Sequence, residues 1–204
     1  MATSERPSAQ AIRALILDHA LRLAAQGGLP AASIGALAAA TGMTKSGVFA
    51  HFGSKPALDE AVVQTAAVRF DRAVLGPAAA APAGVARLVA LSEAWLALAA
   101  GRDVALDVLV AACPPLLAAP HDAVTAWQRT WRATLAEHAA YAAASGELAA
   151  TSRPDVVAFE VDALLQAAWR DIESGDAAAG DRARYAIEHA LRQWSATGAP
   201  PAPP

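Results

Sequence analysis

The chain has 204 residues, 55% of them hydrophobic and 17% charged, with a formal net charge of −3. That is enough apolar material for one large or two small domains with a buried core, and it excludes disorder over most of the length. The slight acidity excludes a generally basic nucleic-acid protein, so any affinity for DNA must come from a local patch. Residues 1–60 carry five basic against four acidic side chains, a balance of +1 that leaves −4 for the remainder.

Apolar spacing predicts a first helix over about 9–26, with Gly27-Gly28-Leu29 closing it. Ser33 then stands where it can cap a turn whose apolar positions Ile34, Leu37 and Ala38 recur at helical spacing. Gly42 permits the positive φ that closes this second helix, and Thr44 two residues later can cap a third, running from Lys45 to about Phe52. Two short helices joined by a tight glycine turn read as a helix-turn-helix. On the third helix Val48 and Phe52, four residues apart, face the core. Thr44, Lys45, Ser46, Gly47 and His51 are left for the helix start and outer face. Hydroxyls and an ammonium near a helix N-terminus suit phosphates and base edges, and Gly47 allows a close backbone approach.

Ser54 opens a fourth helix running toward Leu75, with Gly76-Pro77 ending it and residues 76–84 read as a loop. Further helices are expected from Val85 to about Ala100, over about 121–144, from Pro154 to Glu173 and over about 178–195. Between the first two of these lies a short apolar segment from Val104 to Cys113, ended by Pro114-Pro115. Gly198-Ala-Pro-Pro-Ala-Pro-Pro cannot be helical and is expected to be a disordered tail over 198–204. No β-branched and aromatic alternation competes with this all-α reading of about nine helices.

From Ile16 to Leu58 these residues are similar to the N-terminal domain of TetR-family transcriptional regulators. The likeness rests on residues 16–23 of the first helix, Gly27-Gly28-Leu29, Ala32-Ser33-Ile34, residues 37–45, and His51-Phe52-Gly53-Ser54-Lys55. It implies a helix-turn-helix DNA-binding domain over 1–53, followed by a helical effector-binding and dimerisation domain over 54–197. It implies operator contacts from Ser33, Thr44, Lys45, Ser46, Gly47, Phe49, His51 and Lys55. It also implies a cytoplasmic homodimer paired through its last two helices, acting as a repressor released by a small-molecule effector. Three positions depart from the family pattern. Phe49 keeps the ring of a common tyrosine but lacks its hydroxyl, Ala50 replaces a larger residue, and Gly35 offers no side chain where many relatives carry an arginine. These departures sustain a second reading, a helical small-molecule-binding protein with weakened or lost specific DNA binding. For His51 itself, a DNA contact and a place at the core edge are both open.

Apolar stripes of Val157, Val161, Leu164, Leu165 and Ala168, and of Ala183, Ile187, Ala190, Leu191 and Trp194, are the expected dimer interface, packing within one subunit being the other option. In similar proteins an effector cavity is surrounded by the helices that here carry Trp95, Asp107, Cys113, Trp127, Trp131 and Phe159. Aromatic rings with one carboxylate suit an apolar or cationic molecule, while tryptophans at helical spacing also build ordinary core. Asp107, set among Val104, Leu106, Val108, Leu109 and Val110, has to face solvent, a partner or a cavity.

Cys113 is the only cysteine, which excludes an intrachain disulfide framework, and with nothing cationic beside it an inert buried thiol is the simpler reading than a redox sensor. Histidines 19, 51, 121, 138 and 189 are scattered without a ligand-spaced partner or nucleophile motif, so neither metal, cofactor nor enzymatic activity is expected. Apolar stretches are interrupted by Arg87, Glu93, Asp107 or Pro114-Pro115 before reaching the roughly 20 residues of a membrane helix, so a soluble protein is expected.

Overall fold

A computed structural model describes residues 8–111 and 122–195. Nine helices account for most of them: α1 (Ala9–Gly27), α2 (Ile34–Thr41), α3 (Lys45–Phe52), α4 (Lys55–Phe70), α5 (Val85–Ala100), α6 (Val104–Ala111), α7 (Asp122–Ala144), α8 (Pro154–Glu173) and α9 (Ala179–Gln193). Among the described residues there is no strand, only an isolated antiparallel bridge between Leu148 and Ser195. Cys113, Pro114-Pro115, His121 and the expected tail over 198–204 lie outside the described residues.

Contacts divide the chain into two compact units. The first comprises the described residues of Met1–Arg69 and Val104–Val124, the second those of Phe70–Asp103 and Thr125–Pro204. In the first, α1 turns Ile16, Leu17, Ala20, Leu21 and Ala24 inward and packs against α2 and α6. Leu37 and Ala38 of α2, Val48 of α3 and Leu58, Val62 and Ala66 of α4 complete that core. Asp18 on α1 ties α4 to it: the Arg69 guanidinium donates to its carboxylate at 3.0 Å and Arg22 adds a second ion pair. The hydrogen bond from Arg69, helped by Arg22, holds the Asp18 carboxyl below the usual carboxylate range against the opposing effect of burial.

The sequence reading of α4 needs one correction. Gly76-Pro77 does not end the helical backbone, which widens into a π segment over Asp71–Leu75 and continues as a single turn over Gly76–Ala78. In the π segment the Gly76 N–H reaches back five residues to the Asp71 carbonyl. Pro77 has no N–H to give, and its ring needs room beside the carbonyl four residues earlier. The wider turn supplies that room, so the chain bends its hydrogen-bond register instead of stopping.

In the second unit α5 packs on α8 and α9, and α8 packs antiparallel on α9. Val157, Val161, Leu165 and Ala168 of α8 and Ala183, Ile187 and Leu191 of α9 are buried within the single chain. These seven residues of the stripes expected at a dimer interface therefore build the subunit's own core, while Leu164, Ala190 and Trp194 of the same stripes are half-buried. Large apolar side chains left exposed on these helices are Phe159, 60% exposed, and Tyr185, 68% exposed and stacked on His189 with ring centres 6.2 Å apart.

Candidate nucleic-acid interface

The two short helices of the head start on side-chain caps. Ser33 Oγ accepts the Ala36 N–H at 3.1 Å, and Thr44 Oγ1 accepts the Gly47 N–H at 3.1 Å. Between them Gly42 takes a left-handed conformation at φ 69° and returns its N–H to the Ala38 carbonyl, which closes α2. The Ser46 hydroxyl lies 3.1 Å from that of Thr44. A β-carbon on Gly47 would sit 3.1 Å from Thr44 Oγ1 and 3.5 Å from Met43 Cε, so this glycine protects the cap as well as keeping the backbone open.

Val48, fully buried, anchors α3 to the head, and its neighbours divide by helical geometry. Lys45, Ser46, Phe49 and Ala50 are exposed, Phe49 at 50%, whereas His51 and Phe52 are half-buried. Arg13 of α1 lies over the Phe52 ring, 4.9 Å from its centre, a cation–π contact that spacing along the chain cannot show. Lys55 differs from its expected role. Its ammonium donates to the Leu29 carbonyl at 2.8 Å and pairs with the Asp59 carboxylate, so its charge is committed to joining the Leu29–Ala31 turn to α4.

The residues expected around an effector are distributed unevenly. Trp95, Trp127 and Trp131 are buried in the second unit, where the Phe70 ring meets the two latter tryptophans edge-on at 5.1 and 5.2 Å. Trp131 Nε1 donates to Asp162 Oδ1 at 3.0 Å and Arg132 Nε to Asp162 Oδ2 at 2.7 Å, which satisfies a carboxylate that is almost wholly buried. Asp162 was not among the expected residues, because a lone acid on an apolar stripe gives no sign of the partner it will find. Trp95 Nε1 is buried with no hydrogen-bond partner among the described residues. Phe159 departs from expectation by facing outward, and Asp107 is half-buried in the first unit. Among the described residues no group of three His, Cys, Asp or Glu could hold a metal ion, and no helix is long and apolar enough to cross a membrane.

A capped helix-turn-helix with its polar face turned outward, among described residues that are otherwise helical, is the arrangement of a helix-turn-helix head on an all-α body. Residues 16–62 match the bacterial regulatory proteins of the tetR family, a match that covers the helix-turn-helix head. No curated relative matches it by sequence. Solved structures with the same fold include a TetR-family transcriptional regulator from Cytophaga hutchinsonii, 15% identical over 94% of this chain and 98% of that one, with a TM-score of 0.74. A TetR-like transcriptional regulator from Rhodococcus sp. RHA1 is 20% identical over 92% and 99%, with a TM-score of 0.72. AibR, solved in complex with isovaleryl coenzyme A and operator DNA, is 23% identical over 78% and 85%, with a TM-score of 0.66.

Proposed function

We propose that the chain is a dimeric, operator-binding transcriptional regulator with no catalytic role, acting in the cytoplasm as a repressor that a small-molecule effector releases. The observation that carries this reading is the outer face of α3, where Lys45, Ser46 and Phe49 are exposed while Val48 holds the helix in the head. Thr44, Ser46 and Ser33 bring hydroxyls to the starts of α2 and α3, and His51 lies on the edge of the same surface. In a two-fold dimer, two such helices about 34–36 Å apart address successive major grooves of a palindromic site. Pairing through the outer face of the last two helices would cover the exposed rings of Phe159 and Tyr185.

An effector in the body would be small and apolar or cationic. Trp95 supports an acceptor atom on it, because a buried indole N–H without a partner costs about 1–3 kcal/mol until something accepts it. Release would then correspond to a coupling free energy of about 1–3 kcal/mol between effector and operator.

Fluorescence anisotropy of the purified chain on a duplex from its own promoter, at two salt concentrations and against unrelated competitor DNA, tests the reading. Tight, salt-dependent and competitor-resistant binding is expected. Weak binding that competitor abolishes would favour the small-molecule-binding protein that Gly35, Phe49 and Ala50 also permit.

A further inference from the structure

Gly35, the second residue of α2, was the least promising position in the head, since it has no side chain to offer DNA. The structure shows what occupies its surroundings. A β-carbon on Gly35 would lie 3.6 Å from Cε and 3.9 Å from Nζ of Lys45, and 4.0 Å from Ser33 Oγ. Lys45 begins α3, yet the end of its side chain reaches back to Gly35 in the first turn of α2.

The charge balance of the head makes this placement informative. Arg22 and Arg69 share Asp18, Lys55 is paired with Asp59, and Arg13 covers the Phe52 ring. Lys45 makes no ion pair or hydrogen bond with the described residues, and the first turn of α2 contains no acid to neutralise it. An exposed ammonium beside the first turn of α2, with no anion paired to it among the described residues, is complementary to an anion from outside.

Resting on the DNA-binding reading above, we propose that Gly35 is a positioning residue. Its bare backbone is the slot that holds the Lys45 stem, and the Lys45 ammonium takes a backbone phosphate at the start of α2 in place of a side chain at position 35. A lysine stem laid along a surface has fewer rotamers to lose on binding than one free in solvent, so the slot pre-organises the contact. The arrangement depends on volume. Alanine meets the stem at ordinary van der Waals distance, whereas the larger side chain of leucine is expected to push the stem aside.

The test measures anisotropy across a salt series on the promoter duplex and on a random duplex of equal length, for the parent chain, Gly35→Ala, Gly35→Leu, Lys45→Gln and the Gly35→Leu/Lys45→Gln double variant. Thermal melting checks each fold, and Gly35→Met replaces the leucine variant if that one does not melt like the parent. Gly35→Ala is expected to keep the parental salt slope. Gly35→Leu and Lys45→Gln are each expected to flatten it by about one unit on both duplexes, so that the loss of affinity from 50 to 200 mM salt shrinks about fourfold. The double variant is expected to match the single ones. A parental slope in Gly35→Leu, or losses that add in the double variant, would overturn the inference while leaving DNA binding intact. A parent chain with no salt-dependent binding to either duplex would overturn both.

Discussion

The Glu147 carboxylate stands where a side chain on Gly84 would begin. A β-carbon there would lie 2.2 Å from Glu147 Oε1, while Oε2 accepts the Val85 N–H at 3.0 Å and the Ser145 hydroxyl donates to Oε1 at 2.9 Å. An acid 62 residues away thus caps a helix whose own N-cap residue, glycine at φ 102°, has no side chain to do so. Gly84→Ala combines an unfavourable φ with a displaced cap and is expected to cost about 2–3 kcal/mol. Glu147→Ala, which loses the cap and the exposed Ser145 hydrogen bond but leaves the Gly84 backbone unstrained, is expected to cost about 1 kcal/mol. Urea denaturation of both variants measures this, and equal losses would show that the backbone conformation contributes nothing.

Two buried tryptophans give opposite expectations for one chemical change. Trp131→Phe removes a donor from buried Asp162 and is expected to cost about 1–3 kcal/mol beyond the lost packing. Trp95→Phe removes an N–H that has no partner, so its loss should be smaller by about 1 kcal/mol or more. Paired denaturation curves decide it, and a Trp95 variant as damaged as the Trp131 one would contradict the account.

His138 carries a pH signature. Burial, reinforced by the nearby Arg87 charge and only partly opposed by Glu137, holds its imidazole below the ordinary histidine range. The folded chain therefore favours neutral His138. Its contribution to stability is fully present above the unfolded pKa, about 6.5, and is lost as pH falls through the folded value. His138→Gln is expected to lose less stability than the parent between pH 7.5 and 5, as read from melting temperatures across that range.

Asp18 works in the opposite part of the scale. With its carboxyl held low by Arg69 and Arg22, its contribution is present above the ordinary carboxylate pKa and lost as pH falls through the folded one. The three side chains are well exposed, so screening keeps the effect small. Asp18→Asn is expected to cost about 0.5–1 kcal/mol at neutral pH and nothing near pH 2, a convergence that denaturation at both values would reveal.

Much of the fold was legible because it is written within four residues of itself. Ser33, Gly42 and Thr44 mark the ends of α2 and α3 through bonds that reach no further than one turn, and Pro154 opens α8 for the same local reason. Apolar spacing likewise identified which face of α8 and α9 would be buried. It could not say against what, because a stripe satisfied by a neighbouring helix and one satisfied by a second subunit have the same period.

By itself, then, the sequence determined nine helices, a capped helix-turn-helix and the head it resembles, since caps and periodicity are short-range properties of the backbone. Tertiary structure alone decided how each charge and polar group is used. It bound Lys55 to Leu29 and Asp59, laid Lys45 across Gly35, brought Trp131 and Arg132 to Asp162, and left Trp95 without an acceptor among the described residues. These outcomes depend on which groups, distant along the chain, packing forces to within about 3 Å of one another, and no local pattern encodes that distance.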